Sequence, residues 1–82
     1  MRLDKFLKVS RIIKRRTVAN EAASAGRISI NGRQAKPATD VNVGDQLDIL
    51  MGGKHIYVRV DATPEFTRKE DADKMYTVIA EE

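Results

Sequence analysis

The chain has 82 residues, no cysteine and a formal net charge of +3, and these properties already restrict what it can be. A chain of this length forms one domain and buries only roughly 60–65% of its extended surface on folding, so its core is thin and a closed catalytic pocket is hard to fit. The lack of cysteine excludes disulfide frameworks and cysteine-ligated metal sites, and it is compatible with a reducing cytosol.

Neither a membrane span nor a secretion signal is visible in the sequence. No apolar run approaches the roughly 18–20 residues that cross a bilayer. The opening MRLDKF lacks the apolar core of a signal peptide. We therefore expect a cytoplasmic protein with no membrane contact.

The charge is unevenly distributed along the chain. Residues 1–36 carry ten basic and two acidic side chains, a net charge of +8, whereas residues 37–82 carry five basic and ten acidic ones, a net charge of −5. This asymmetry favours contact between the first half of the chain and a polyanion.

Apolar residues at helical spacing predict a first helix near the N-terminus. They share one arc with Ser10, and they are Leu3, Phe6, Leu7 and Ile13. The opposite arc is basic and consists of Lys5, Lys8, Arg11 and Arg15. Because Ile12 falls on the basic side, we predict that the helix ends near residues 10–12 and that a turn continues to Arg16.

A second helix is predicted to follow directly. Thr17 is the expected N-terminal cap of a helix from about Val18 to Ala25. Gly26 suits the position after the helix, since glycine adopts the left-handed conformation without a Cβ penalty. The alanines of this segment allow close packing against the first helix.

The hydrophobic period then changes to two, which predicts strands. The isoleucines of RISI alternate with polar neighbours, and Asn31-Gly32 is the preferred dipeptide of a two-residue hairpin turn. Gly44-Asp45 marks a turn before QLDIL, and MGGK marks another before HIYVRV. Pro64 ends that strand, RKEDADKM indicates a short helix or irregular turn, and YTVIA is either a last strand or a tail. The predicted class is α+β, with two packed helices and a small antiparallel sheet.

The sequence offers little for catalysis. His55 is the only histidine and lies beside the Gly52-Gly53 turn, where an exposed or half-packed role is far more common than a catalytic one. There is no cysteine nucleophile, no arrangement resembling a Ser/His/Asp triad and no glycine-rich phosphate loop. Asp40, Asp45 and Asp48 lack the spacing of metal ligands. We expect no enzymatic activity, no cofactor and no metal.

The basic residues have two competing interpretations, a solvated helix face or a surface that binds nucleic acid. Three observations favour nucleic acid. The face has almost no compensating acids. The run Lys14-Arg15-Arg16 lies just before a predicted helix N-terminus, where free N–H groups and the helix dipole favour phosphate. Arginine is also well represented, and its planar guanidinium suits bidentate phosphate contact.

RNA is favoured over DNA as the nucleic acid. No predicted helix looks like a long major-groove reader, and the charge is spread over two short helices and the start of a hairpin, which suits the backbone of a structured RNA. Stacking on bases is not supported, because Tyr57, Phe66 and Tyr76 lie outside the basic half and Phe6 lies on the apolar arc. We therefore expect backbone binding rather than sequence-specific recognition of single strands.

Several motifs, in order, resemble the S4 (αL) RNA-binding domain over residues 1 to about 50. They are RLDKFL, a basic turn before Thr17, GRISING and VGD. Over essentially the whole chain, the segments MRLDKFLKVSRIIKRRT, GRISINGRQAK and RKEDADKMYTVI resemble the stand-alone ribosome-quality-control factors of the RqcP (YabO-like) family of Firmicutes. The resemblance implies an S4/αL fold, with residues 1–50 as RNA-binding core and residues 51–82 as an additional strand hairpin and short C-terminal extension of the same domain.

The resemblance also implies a function. Members of this family bind the large ribosomal subunit when a nascent chain and peptidyl-tRNA obstruct it, and they hold the peptidyl-tRNA in the P site while an RqcH-type factor delivers alanyl-tRNA for a C-terminal alanine tail. The expected partners are therefore large-subunit rRNA, tRNA, the obstructed large subunit and the RqcH-type factor. We expect a monomer. The alternative is an S4-type rRNA-binding factor in ribosome assembly or in heat-shock recycling of stalled large subunits.

Site residues follow by position from the family motif. Arg2 and Arg16 match the basic residues expected to face rRNA and tRNA backbone, and Lys5, Lys8, Arg11, Lys14 and Arg15 complete the surface. Arg27 could contact phosphate or merely cover the sheet. Asp4 is interpreted as a first-turn helix residue favoured by the dipole, or as a partner that orients Arg2 or Lys8.

Two hypotheses from other classes remain. The acidic second half could be a protein-interaction surface, in which case binding would survive reversal of the basic charges. Alternatively, the chain could be the S4 domain of an RNA-modifying enzyme, but this needs a catalytic domain that 82 residues do not supply.

Overall fold

The computed structural model describes all 82 residues as two helices followed by a sheet. Helix α1 spans Leu3–Val9 and helix α2 spans Arg16–Ser24. The later elements are β1 (Ile28–Ile30), β2 (Arg33–Gln34), β3 (Gln46–Met51), β4 (Lys54–Val60), a 3₁₀ helix (Lys69–Met75) and β5 (Tyr76–Glu81). The strands form one antiparallel sheet in the order β2-β1-β3-β4-β5. The predicted α+β class and helix–sheet arrangement are confirmed.

Both helices and the sheet contribute to a single apolar core. The predicted arc of α1 is buried, including Leu3, Phe6 and Leu7, and it shares the core with strand residues such as Ile49 and Val58. Helix α1 ends at Val9, close to the predicted boundary. None of the helices combines the length and apolar character that crossing a bilayer requires.

Backbone pairing with the segment before β3 holds the start of α1 in place. The Leu3 N–H donates to the Thr39 carbonyl at 2.9 Å, and the Val41 N–H donates to the Met1 carbonyl at 2.7 Å. An isolated β-bridge links Arg2 to Asp40. The N-terminal residues are therefore part of the folded structure, and this fixes the backbone position of Arg2.

Helix α2 begins earlier than predicted. Its first residue is Arg16, its N-cap is Arg15, and no side chain caps it, so the prediction that Thr17 is the cap is wrong. Thr17 lies within the first turn instead. With this early start the Arg16 side chain reaches Asp4 of α1, a contact between the two helices that local capping rules do not report.

The end of α2 follows the prediction. Gly26 has φ +77°. Its N–H donates to the Ala23 carbonyl at 3.1 Å, and the Arg27 N–H donates to the Ala22 carbonyl at 3.1 Å. This pair of hydrogen bonds is a Schellman motif, which satisfies carbonyls that the helix end would otherwise leave free.

The predicted turns and strands are present. Asn31-Gly32 has positive φ at both residues, 51° and 83°, as a two-residue hairpin turn requires, and Gly52-Gly53 does the same at 57° and 79°. Of the alternatives left open, RKEDADKM contains the 3₁₀ helix, and YTVIA is a strand paired with β4. The division of the domain near residue 50 stays a prediction.

Candidate nucleic-acid interface

Five of the eight basic residues predicted to bind RNA line one concave surface. This surface, which we call the basic groove, runs along α1, the turn after it and the start of α2. Its basic residues are Lys5, Lys8, Arg11, Lys14 and Arg16. The fold thus brings together cations from two helices and the turn between them.

A buried carboxylate, that of Asp4, connects Arg16 of the groove with Arg2 outside it. Asp4 is only 2% exposed. Arg2 donates to both of its oxygens, Nε to Oδ1 and Nη2 to Oδ2, each at 3.2 Å. Arg16 Nη2 donates to Oδ1 at 3.4 Å, and Asn20 Nδ2 donates to Oδ2 at 3.3 Å. Asp4 orients Arg2, one of the two basic side chains that the sequence suggested as its partners. Its second basic partner is Arg16 and not Lys8.

The two guanidinium groups remain available to a ligand. The side chains of Arg2 and Arg16 are 51% and 48% exposed although both contact Asp4. Arginine has five N–H donors, and the contacts with Asp4 use only some of them. Each guanidinium is therefore held at one edge while its other donors face solvent.

The environment of Asp4 keeps it ionised. Burial acts to raise the pKa of Asp4, but hydrogen bonds from Arg2, Asn20, the Lys5 backbone N–H and Arg16 outweigh it, so the pKa lies below the ordinary value of 3.8. A negative charge that is always present at neutral pH gives both arginines a permanent partner.

Arg11 has an unusual backbone conformation within the basic groove. Its φ is +63°, in the left-handed region that non-glycine residues rarely adopt. The Arg11 N–H donates to the Lys8 carbonyl at 3.0 Å, which closes the turn after α1. The turn directs the chain from α1 toward α2, and the Arg11 side chain lines the groove.

Three predicted site residues lie outside the groove lining. Arg2 adjoins it only through Asp4, which it shares with Arg16. Arg15 is exposed at the N-cap of α2. Arg27 is exposed in a separate depression beside the Gly52-Gly53 turn, so it is not part of the same surface.

Part of the basic groove comes from the acidic half of the chain. Glu65, Phe66 and Thr67, which follow β4, line it together with the cations. The Glu65 carboxylate is paired with the Lys5 ammonium, which holds the pKa of Glu65 below its usual 4.5. Sequence analysis missed these residues and placed Phe66 outside the basic region. The one feature of the sequence that could have indicated a functional role is that Phe66 has no apolar partners at strand or helix spacing.

His55 belongs to a different part of the molecule. Its Nδ1 lies 2.8 Å from Asp48 Oδ1, and its ring stacks on Tyr57 with 6.1 Å between centroids. Burial, together with the charges of Asp48 and Glu82, raises the pKa of Tyr57 above 10.0. No group of three or more His, Cys, Asp or Glu side chains is arranged to hold a metal ion.

Comparison with known proteins places this surface in a family context. A family model described as the S4 domain matches residues 1–47. A Bacillus subtilis protein named RQC P-site tRNA stabilizing factor is 57% identical over 82 residues, covering 100% of this chain and 95% of the relative. A protein of the same name from Streptococcus pneumoniae is 57% identical over 81 residues, covering 99% and 92%.

More distant similarity extends to heat shock protein 15. The Escherichia coli protein of that name is 33% identical over 82 residues, covering 99% of this chain and 62% of the relative. A solved structure of Vibrio cholerae heat shock protein 15 superposes with a TM-score of 0.89 at 28% identity, covering 98% of this chain and 82% of that chain. That structure is described as trimeric, so the monomer expected from the sequence stays a prediction.

Proposed function

Because the chain belongs to the S4 domain family and, within it, to the RQC P-site tRNA stabilizing factors, we propose that it stabilises peptidyl-tRNA in the P site of obstructed large ribosomal subunits during ribosome quality control. It acts by binding RNA, without catalysis. The observation that carries this proposal is the basic groove, in which five cations face a single acid, Glu65, that is already neutralised by Lys5.

The groove has the chemistry of a phosphate-binding surface. Lysine and arginine side chains attract the RNA backbone at long range, and arginine adds directional hydrogen bonds to phosphate oxygens. The N-terminus of α2 has no side-chain cap, so its first N–H groups are free to receive a phosphate brought in by Arg15 and Arg16. These features support contact with a structured RNA through its backbone.

Asp4 supports the central role given to Arg2 and Arg16. Both side chains are long, and a free arginine loses much rotamer entropy when it is fixed on a ligand. Their hydrogen bonds with Asp4 restrict them beforehand, which lowers that cost. The residues proposed to contact RNA are Arg2, Lys5, Lys8, Arg11, Lys14, Arg15 and Arg16. Arg27 is proposed as a separate contact for RNA that extends to the β3–β4 turn.

The finer assignments belong to the same proposal. We propose contacts to large-subunit rRNA and to tRNA, action in the cytoplasm, and cooperation with an RqcH-type factor that delivers alanyl-tRNA. The names of the full-length relatives support the tRNA and P-site parts. The second candidate function is the alternative that the family resemblance implies, an S4-type rRNA-binding factor that acts in ribosome assembly or in heat-shock recycling of large subunits, and the similarity to proteins named heat shock protein 15 is the observation that keeps it in view.

Salt dependence of binding tests the electrostatic basis. Neutralising about five to seven phosphates should make log affinity fall against log salt with a slope of about −4 to −6. We expect Arg2→Ala and Arg16→Ala to weaken binding to purified large ribosomal subunits and to flatten this slope. Binding is measured by titration at salt concentrations from about 50 to about 300 mM, over which the screening of charges changes strongly. Lys74→Ala, which removes an exposed cation outside the groove, is the matched control. Equal slopes for all four proteins would contradict the proposal.

Crosslinking in growing cells separates the two candidate functions. The tagged protein is crosslinked to RNA, and the recovered RNA is sequenced. Large-subunit rRNA together with tRNA supports P-site stabilisation, whereas rRNA precursors without tRNA support assembly. No enrichment over background would mean that the basic face is merely solvated.

A further inference from the structure

The basic groove contains one exposed aromatic ring. Phe66 is 81% exposed, more than any other large apolar residue of the chain, and it lines the groove together with Lys8, Arg11 and Lys14. We propose that Phe66 stacks on an unpaired base of the RNA whose backbone the groove binds. This inference rests on the proposed RNA-binding function and adds a contact to a base to the contacts with phosphate.

Two sets of contacts hold the segment that carries Phe66. At its start, the N–H groups of Asp61 and Ala62 both donate to the Met75 carbonyl, at 2.8 and 3.2 Å. Near its middle, Glu65 is paired with Lys5 of α1. Phe66 follows the residue that makes this ion pair. The only acid of the groove therefore contacts α1 next to the ring.

The combination of cations and an exposed ring matches single-stranded or splayed RNA. Basic side chains follow the backbone, and an aromatic face stacks on the neighbouring base with little dependence on its identity, since every base has a π-face. RNA loops and bulges supply such unstacked bases. An aromatic ring left in water has no stabilising role in the free protein, because at 81% exposure it buries little apolar area.

The surroundings of Phe66 argue against a protein partner at this position. Aromatic hot spots of protein interfaces lie in desolvated, largely apolar surroundings from which charged residues are depleted. Here the only other apolar side chain of the groove is Val9, and five cations surround the two. Such a charge density favours a polyanion with flat, stackable groups.

Substitution of Phe66 tests the stacking contact by its separate effect on affinity and salt slope. We expect Phe66→Ala to weaken binding to purified large ribosomal subunits about tenfold, in the range known for loss of one base–aromatic stack. The salt slope should stay at the wild-type value, because no charge is removed. Phe66→Leu keeps apolar bulk without a π-face and should recover only part of the loss. Val43→Ala, which shortens another exposed apolar residue (62% exposed), is the matched control and should bind as wild type does.

Ultraviolet crosslinking gives a second readout at the same residue. On wild-type complexes with large subunits, we expect a nucleotide adduct on the peptide that contains Phe66, identified by mass spectrometry. Absence of this adduct together with wild-type affinity of Phe66→Ala would overturn the inference, as would full recovery by Phe66→Leu. The inference would also be overturned if Phe66→Ala bound large subunits as wild type does but no longer bound a protein factor that wild type binds.

Failure of the proposed function has a different signature. If the wild-type protein does not bind large subunits, or binds them without salt dependence, RNA binding through the groove fails and the stacking contact fails with it. If wild type binds and Arg16→Ala weakens it while Phe66→Ala does not, only the stacking contact is refuted. Thermal unfolding of each variant checks that it is folded, which we expect for Phe66 variants because the side chain is exposed.

Discussion

Asp4 shows how a buried charge is retained in this small domain. Taking a carboxylate out of water is unfavourable unless hydrogen bonds and opposite charges compensate. At Asp4, two arginines, one asparagine and a backbone N–H supply these contacts, and the result is a lowered rather than a raised pKa. The same contacts position Arg2 and Arg16, so stability and the proposed RNA contact depend on one side chain.

Asp4→Asn is the corresponding test of stability. The substitution keeps the size of the side chain but removes its charge, and we expect the free energy of unfolding at pH 7 to fall by about 1–3 kcal/mol. Because the pKa of Asp4 is lower in the folded state than the ordinary 3.8, its contribution is complete above that pH and is lost as the pH falls through the folded-state pKa. Denaturant unfolding measured from about pH 7 down to about pH 2.5 should show the difference between wild type and variant shrinking toward acid. Glu21→Gln is the control, since Glu21 is exposed and makes no ion pair.

RNA affinity of the same variant separates positioning from net charge. Asp4→Asn makes the protein more positive, so long-range electrostatics alone would strengthen binding to large subunits. If Asp4 positions Arg2 and Arg16, binding weakens instead, with a salt slope close to that of wild type. Tighter binding by the variant would contradict the positioning role.

At the scale of the element, the end of α2 is determined by Gly26. The helix has nine residues, too few to be stable by itself in water, so its boundaries depend on capping and packing. The Schellman hydrogen bonds at its C-terminus need a left-handed residue, and they connect α2 directly to β1 through Arg27. This junction sets the orientation of α2 relative to the sheet, and thereby the position of Arg16 at the other end of the helix.

Gly26→Ala should therefore destabilise the fold. Alanine at φ +77° meets a steric penalty of about 1–2 kcal/mol. Its Cβ would also displace the side-chain amide of Gln34, whose flexible end is the nearest group. We expect the free energy of unfolding to fall by about 1–2 kcal/mol in urea denaturation. Ser24→Ala, an exposed position in the last turn of α2, is the control and should be neutral or slightly stabilising. A Gly26→Ala protein as stable as wild type would mean that the junction adapts.

At the scale of the whole molecule, folding brings the acidic half of the chain against the basic half. The Lys5–Glu65 ion pair joins residues 60 positions apart, both of which line the basic groove. The sheet has two edges, β2 and β5. Strand β2 has only two residues, and β5 is followed directly by Glu82 after ending at Glu81. The shortness of β2 and the two glutamates at the end of β5 disfavour pairing between copies at these edges, and the half-exposed apolar residues of β5 are Val78 and Ile79.

We accordingly expect a monomer in solution, although the related heat shock protein 15 structure is trimeric. Light scattering at micromolar concentration should give a mass near 9.2 kDa. A mass three times larger would refute the prediction. In that case Ile79→Lys, at a half-exposed apolar position of β5, would show whether this edge forms the contact.

Local patterns in the sequence determined much of this structure. Both helices, the Asn31-Gly32 turn and the alternating strands show in the sequence as periodicities or turn dipeptides of a few residues, and these are the features that sequence patterns report directly. The family and the basic character of the first half followed from the sequence as well. The start of α2 did not, because α2 begins at Arg16 without a side-chain cap, and Arg16 contacts Asp4 across the helix pair, which a local capping pattern does not report.

Only the tertiary structure decided how the candidate site is composed. Charge counting separates the chain into a basic and an acidic half, yet the groove draws Glu65, Phe66 and Thr67 from the acidic one. The groove also excludes Arg27, which lies between α2 and β1 in sequence but lines a separate depression. The physical reason is that the packing of helices on a sheet decides which distant segments meet, and contacts such as the exposed Lys5–Glu65 ion pair form between segments that this packing has already brought together.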